Sequence, residues 1–154
     1  MNDTSAENAA LAAADHALDA LCERVELTVK LNFGAAGVAE LHTLWGHRTR
    51  SALTTLPHSQ QTTALEELIL RLPGAKIVRL EHTLLAELEA ANDALRAALA
   101  RRQRAAAAQA TCAARLSLAA DDFDAAWSSL VKLAGFMLGA EAGRTIPDLG
   151  RLRR

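Results

Sequence analysis

Apolar and small side chains recur through the N-terminal part of the chain at the a and d positions of a heptad repeat: Leu11, Ala14, Leu18, Leu21, Val25 and Thr28. This spacing places them on one face of a helix that packs along its length. Asn32 and Gly34, in the stretch LNFGAAG, are residue types that tolerate the left-handed conformation of a helix cap. The pattern therefore predicts a first helix from Thr4 or Ser5 to about Leu31.

Proline and glycine residues divide the next part of the chain. A second helix is predicted over residues 35–56, because a proline follows directly. A third helix is predicted to begin at Ser59 or at Thr63, since Thr63 and Glu66 have the spacing of a capping box. The sequence LPG at 72–74 is expected to end it.

A long fourth helix is predicted from Ala75 to about Ser117. Its apolar stripe has coiled-coil spacing and consists of Ile77, Leu80, Leu84, Leu88, Ala91, Leu95 and Ala98. Residues 105–114 are mostly alanine and offer no large side chain for packing. Asp121 is a suitable N-cap for a fifth helix. The apolar face expected for that helix consists of Phe123, Trp127, Leu130, Ala134, Met137 and Leu138.

These patterns predict an all-α fold: an up-and-down bundle of about four helices, an additional C-terminal helix and a basic tail. One helical domain is expected over residues 1–143, with the core bundle at about 5–104 and the C-terminal helical segment at about 105–143. Residues 144–154, with four arginines, are expected to form the basic tail.

Composition agrees with the helical pattern and limits the function. Hydrophobic residues make up 51% of the chain, but aromatic residues only 3%, and alanine, the best helix former, supplies much of the apolar count. A net charge of −1 argues against a surface that attracts nucleic acid or anionic lipid everywhere. Cys22 and Cys112 lack partners at metal-ligand spacing. The acidic N-terminus and the absence of a long apolar run predict a cytoplasmic protein with no membrane span.

One stretch, GVAELHTLWGHRTRSAL at 37–53, raises the question of chemistry. On a helical wheel His42 lies at the edge of an apolar face, with Trp45 as the main anchor of that face. Gly46 is expected one turn above His42, where it would leave open space beside the imidazole. A packed seam with a silent histidine is the first interpretation.

The second interpretation comes from a resemblance. His42 and Gly46 within HTLWG, together with the helix order through ALEELILRLPG, resemble the histidine phosphotransfer domains, whose active helix carries His-x-x-Lys-Gly in a four-helix bundle. The resemblance implies that His42 would accept a phosphoryl group. Trp45 stands where the family has its lysine, and the family's later glycine is absent. Arg50 is the nearby residue that could supply the missing positive charge.

Several arginines lie along the predicted fourth helix, and no acidic residue occurs between Asp93 and Asp121. Arg96, Arg101, Arg104 and Arg115 share a face opposite the core, whereas Arg102 points along the apolar stripe. A solvated face is the first interpretation. An acidic partner or nucleic-acid phosphates are the alternatives, although no aromatic residues are interleaved for base stacking.

No nucleophile motif, Gly-rich phosphate loop, converging acid pair or metal-ligand spacing is present, so we expect no enzyme activity, cofactor or metal. The first hypothesis is a non-enzymatic protein–protein interaction module: an adaptor, chaperone or assembly subunit that self-associates. Its partner-binding residues are predicted to be Phe123, Trp127, Leu130, Met137, Arg96, Arg101 and Arg104. The alternatives are a phosphotransfer or pseudo-phosphotransfer module that uses His42, and a nucleic-acid-associated subunit that uses the arginine face. The abundance of arginine and alanine suggests a bacterial genome of high GC content.

Overall fold

The computed structural model describes residues 4–138, which form an all-α fold. Four α-helices and one short 3₁₀ helix follow one another: α1 (Ser5–Leu44), α2 (Arg50–Thr54), α3 (His58–Arg71), the 3₁₀ helix (Leu72–Gly74) and α4 (His82–Leu138). Within these residues there is no β-strand, and no helix combines the length and the apolar character that crossing a bilayer requires. The predicted basic tail and the end of the predicted domain at 143 lie outside the described residues.

The chain reverses direction inside α1, at Gly34. This residue alone has non-helical backbone angles, with φ 63° and ψ −154°, which are accessible to glycine because it lacks a Cβ atom. His42 Nε2 lies 3.0 Å from the Glu26 carboxylate, 16 positions earlier, whereas the same separation along a straight helix would span about 24 Å. Residues 35–44 therefore fold back on residues 5–33, and the break predicted at 32–34 is confirmed.

The prediction of one continuous second helix over 35–56 is wrong, because that stretch is interrupted. The helical backbone ends at Leu44, and Gly46 and His47 both adopt positive φ angles, 70° and 60°. Helix resumes only at Arg50, where the Thr49 hydroxyl accepts a hydrogen bond from the Ala52 N–H at 3.3 Å. Gly46 is therefore part of the turn that ends the helix, where its conformational freedom is used, and does not lie one helical turn above His42.

The third helix matches one of its two predicted starting points. It begins at His58, one residue from Ser59 and directly after Pro57. Thr63 is not a cap: it lies inside the helix, and its hydroxyl donates a hydrogen bond to the Ser59 carbonyl at 2.9 Å. The end of α3 is confirmed, because the LPG sequence forms the 3₁₀ turn that follows it.

The fourth helix begins seven residues later than predicted. Residues 75–81 are not helical, and α4 starts at His82. The Glu40 carboxylate holds this segment against the returning arm of α1, because its two oxygens accept hydrogen bonds from three successive backbone N–H groups, those of Lys76, Ile77 and Val78, each at 2.7 Å. Because α4 starts at His82, Ile77 and Leu80 do not belong to its helical stripe.

The core lies between the early parts of α1 and α4, with α3 and the turns packed against them. The predicted stripes are buried there: Leu11, Leu18 and Val25 on α1, and Leu84, Leu88, Leu95 and Ala98 on α4. α1 and α4 are antiparallel, since Arg24 pairs with Glu87 whereas Asn8, earlier in α1, accepts from Arg102, later in α4. α3 is bonded to both helices, through Gln61 to Asp19 and through Thr62 to Asn92.

The predicted fifth helix does not exist as a separate element. α4 is continuous from His82 to Leu138, and Asp121 lies in its interior instead of capping a new helix. No glycine or proline occurs between residues 75 and 134 to interrupt it. The chain nevertheless divides into two compact units between Ala107 and Ala108. The first unit contains the core described above, and the second begins inside α4.

Glu40 should make the first unit sensitive to acid. The backbone N–H groups of Val78, Lys76 and Ile77 hold the pKa of this carboxyl below its ordinary value of 4.5. The charged carboxylate therefore stabilises the fold above that value, and its contribution is lost as the pH falls toward the lowered pKa. Glu40→Gln should lower the free energy of unfolding at pH 7 and reduce its fall between pH 7 and pH 3. Urea unfolding at both pH values tests this.

The exposed Glu89 on α4 offers a matched control, because Glu89→Gln removes a carboxylate that has no comparable backbone contacts. This variant should unfold like the wild type at both pH values. Equal effects of the two substitutions would contradict the role given to Glu40.

Trp45 is the predicted anchor of the core, and its burial is confirmed, with 1% of its surface exposed. Trp45→Ala should lower the free energy of unfolding by about 3–5 kcal/mol, because a large side chain is removed from a packed interior. Among residues 4–138 the buried indole Nε1 finds no hydrogen-bond partner. Trp45→Phe keeps an aromatic ring and removes this unpaired donor, so it should cost much less, roughly 1.5 kcal/mol or below. Urea unfolding followed by circular dichroism measures both values.

Candidate interaction surface

Large apolar side chains are exposed along the second unit, from residue 108 to the end of α4. Leu116 is 73% exposed, Phe123 60%, Leu130 54% and Met137 73%. Single exposed apolar residues are ordinary on protein surfaces, but a continuous series of them marks a site of interaction. Three of these four residues were predicted as partner-binding, and all three lie where the prediction requires, on the surface.

These four residues belong to a heptad order that the sequence analysis recognised only from Phe123 onward. Leu118, Leu133 and Phe136 are also exposed but lie outside that order, and Trp127, within it, is half-buried. The face that we call the heptad face consists of seven positions separated alternately by four and three residues: Leu116, Ala120, Phe123, Trp127, Leu130, Ala134 and Met137. Such positions form one stripe along a helix. Leu116 and Ala120 were missed because a helix break was expected before Asp121. Leu138, also predicted for this face, is the last helical residue, and its side chain is outside the description.

The middle of the heptad face carries two aromatic rings in contact. Phe123 and Trp127 are four residues apart, and their rings are nearly parallel, 10° between planes, with centroids 6.4 Å apart. Positions separated by four residues are neighbours on a helix surface. The pair forms an aromatic platform within the face, which Phe136, 89% exposed, does not join because it lies on the opposite side of the helix.

The arginines predicted for partner binding are distributed over different contacts. Arg96 pairs with Glu66 of α3, and the Arg104 guanidinium donates to the Ala100 carbonyl of its own helix at 3.3 Å. Arg102 donates to Asn8 at 2.8 Å, which ties α4 to the start of α1. Arg101 is exposed. Of the four arginines predicted to share a face, Arg96 is therefore paired within the first unit, whereas Arg101 and Arg115 are exposed.

His42 lies at the edge of the core in the last turn of α1, within a small cluster. The Glu26 carboxylate is central: one oxygen is 3.0 Å from His42 Nε2, and the other accepts from Arg50 Nε at 3.2 Å. The imidazole also stacks on Trp45, with 5.9 Å between ring centroids. Glu26, which the sequence analysis did not single out, joins the three residues because the reversal at Gly34 brings them beside it.

In this geometry His42 Nε2 is occupied by its contact with Glu26 and is not open to an incoming phosphoryl donor. A phosphoryl donor would have to reach an imidazole whose Nε2 is already bonded to a carboxylate, and the negative charge of Glu26 would repel it. Arg50, the expected replacement for the lysine, is bonded to the same carboxylate. The open space expected beside His42 also depended on Gly46 continuing the helix, which it does not.

We therefore expect no phosphoryl transfer to His42. Incubation of the protein with a phosphorylated response regulator should leave no acid-labile phosphate on the chain. His42→Gln should change the melting temperature little, because an amide can still donate to Glu26. Acid-labile phosphate that disappears in His42→Gln would contradict the expectation and support the phosphotransfer interpretation.

The two cysteines have different environments. Cys22 is buried in the core, and burial raises the pKa of its thiol to about 12. Cys112 is exposed on α4. The thiolate is the reactive form of cysteine, so a thiol reagent at neutral pH should modify Cys112 and leave Cys22 intact. Within residues 4–138 no three His, Cys, Asp or Glu side chains come together as a metal site would require.

Comparisons of the chain with protein-family models, with curated proteins and with solved structures gave no match. The functional argument therefore depends on the chain's own residues, and above all on the heptad face.

Proposed function

We propose that this protein is a non-enzymatic, self-associating interaction module, which acts as an adaptor, chaperone or assembly subunit in the cytoplasm through the heptad face of α4. The observation that carries the proposal is the exposure of Leu116, Phe123, Leu130 and Met137 on one helical stripe. The up-and-down order of the bundle in the first unit is part of the same proposal.

The physical reason is the free energy of exposed apolar surface. Full burial of a leucine, phenylalanine or methionine side chain is worth about 1.5–3 kcal/mol. Each of the four residues exposes more than half of its surface, so covering them together offers several kcal/mol. A helix in water also gains most of its stability from packing of an amphipathic face. Association therefore both removes the exposed surface and stabilises this part of α4.

The two alternative functions find less support. The phosphotransfer hypothesis requires an accessible His42, whose Nε2 contacts Glu26. The nucleic-acid hypothesis requires a basic face, but Arg96 pairs with Glu66 within the first unit. The second unit also carries acidic residues, Asp121, Asp122 and Asp124, in the same helix as the exposed apolar side chains. A protein partner fits this surface better than phosphates do.

Two phenylalanines on opposite sides of α4 provide a matched test. Phe123 belongs to the heptad face and Phe136 does not, although Phe136 is more exposed. The wild type should be a dimer or larger in light scattering. Phe123→Ala and Trp127→Ala should shift it toward the monomer by about tenfold or more in dissociation constant, because each removes an anchor from the centre of the face. Phe136→Ala should leave the association unchanged.

Removal of the chain after Arg104 should abolish association while the first unit stays helical by circular dichroism. A monomeric wild type at high concentration, or equal effects of Phe123→Ala and Phe136→Ala, would contradict the proposal. Slow amide exchange throughout residues 105–138 of a monomer would mean that the face is covered within the chain itself.

A further inference from the structure

We infer that the heptad face pairs with a second copy of itself in antiparallel orientation, around a two-fold axis at the level of Ala125. This inference rests on the proposed function and adds the partner's identity and its direction. It comes from the order of small and large residues along the face, and Ala125 is the centre at which every a and d position from Ala113 to Met137 has a partner.

The alternate positions of the heptad face differ in size. The positions of one set, which we assign as d, carry large side chains throughout, whereas those of the other set, the a positions, carry alanine except for one tryptophan. The d residues are Leu116, Phe123, Leu130 and Met137, and the a residues are Ala120, Trp127 and Ala134, to which Ala113 adds the preceding a position of the helix. A parallel pair sets each position against its own copy. Layers of paired alanines would then alternate with layers of paired large residues, which cannot all be filled at one distance between helices.

An antiparallel pair sets each a position level with a d position of the second copy. With the axis at Ala125, residues equally far from 125 on its two sides face each other. Every layer then combines a small side chain with a large one, except the central aromatic layer: Ala113 with Met137, Ala134 with Leu116, Ala120 with Leu130, and Phe123 with Trp127. Uniform layers of this kind allow the side chains to interdigitate at native packing density.

The charges of the segment are compatible with the same register. Asp121, Asp122 and Asp124 become level with Ser129, Ser128 and Ala126 of the second copy, and Arg115 and Lys132 become level with Gly135 and Leu118. Of the charged residues, only Asp124, one residue from the axis, then comes close to its own copy. In the parallel register each aspartate would be level with its own copy, and like charges in close proximity are unfavourable.

The area of the face is sufficient for a stable dimer. The segment from Ala113 to Met137 is about 37 Å long, and one side of a helix of that length buries on the order of 600 Å². Two copies then bury about 1,200 Å² together, which is the lower limit for specific, stable interfaces. The stacked Phe123–Trp127 pairs of the two copies meet at the centre, where aromatic residues contribute most to binding.

The native cysteines allow the direction to be measured in the full chain. A spin label should attach to the exposed Cys112 and not to the buried Cys22. In the antiparallel pair the two Cys112 residues lie equally far on opposite sides of the axis, about 39 Å apart along the helices. In a parallel pair they lie side by side, below about 20 Å. Double electron–electron resonance measures this distance.

Three outcomes of this measurement are distinguishable. A distance near 40 Å supports the antiparallel pair. A short distance overturns it and leaves the proposed self-association intact. Absence of any intermolecular distance, together with a monomeric mass in light scattering, overturns both the inference and the proposed function. A second label at Ala126, introduced by Ala126→Cys in a Cys112→Ser background, should give a short distance because residue 126 lies beside the axis, and a long one would overturn the assigned register.

Exchanging a small and a large residue provides an independent test of the register. Ala120→Leu should crowd its layer and Leu130→Ala should leave a void, so each should weaken association by about tenfold or more. The double variant Ala120→Leu/Leu130→Ala restores one small and one large residue in each of these layers, and it should associate within about threefold of the wild type. Additive weakening in the double variant would overturn the pairing of residue 120 with residue 130.

Discussion

The first unit of this protein depends on one backbone reversal, at Gly34. Helical residues on both sides of it pack closely, and a Cβ atom at Gly37 would overlap Phe33 and approach Val29 Cγ1 to 3.1 Å. Because the second arm of α1 returns along the first, Trp45 reaches the core and His42 reaches Glu26. If residues 5–44 formed a straight helix, His42 and Glu26 would lie about 24 Å apart. The later elements of the first unit are then arranged around this hairpin.

Two carboxylates of the hairpin form hydrogen bonds with parts of the chain that are distant in sequence. Glu26 holds His42 and Arg50, which stand on either side of the turn at Gly46. Glu40, in the returning arm, accepts hydrogen bonds from the backbone of residues 76–78 and fixes that segment against α1. Hydrogen bonds from charged groups are stronger than those between neutral ones. The residues that suggested chemistry in the sequence thus form part of the scaffold.

Apolar residues at helical spacing are buried in the first unit and exposed in the second. Up to Ala98 the repeated apolar residues of α4 are buried against other elements of the chain, whereas from Leu116 onward the same kind of repeat is exposed. The alanine-rich stretch at 105–114 separates these regions and contains no large side chain. A repeat that stays exposed within residues 4–138 is suited to a partner, and this difference underlies the proposed function.

The sequence by itself determined the helical class, the breaks at 32–34 and after Pro57, the buried stripes and the role of Trp45, because these follow from local propensity and periodicity. Only the tertiary structure decided that residues 75–81 are not helical, that helix stops at Leu44 and that α4 continues through Asp121. In the first case Glu40, distant in sequence, holds the segment, and the second case depends on two successive left-handed residues. The last shows that a good N-cap residue does not begin a helix where nothing interrupts the preceding one. Exposure of the heptad face was likewise invisible in the sequence, since periodicity states which residues share a face but not what covers it.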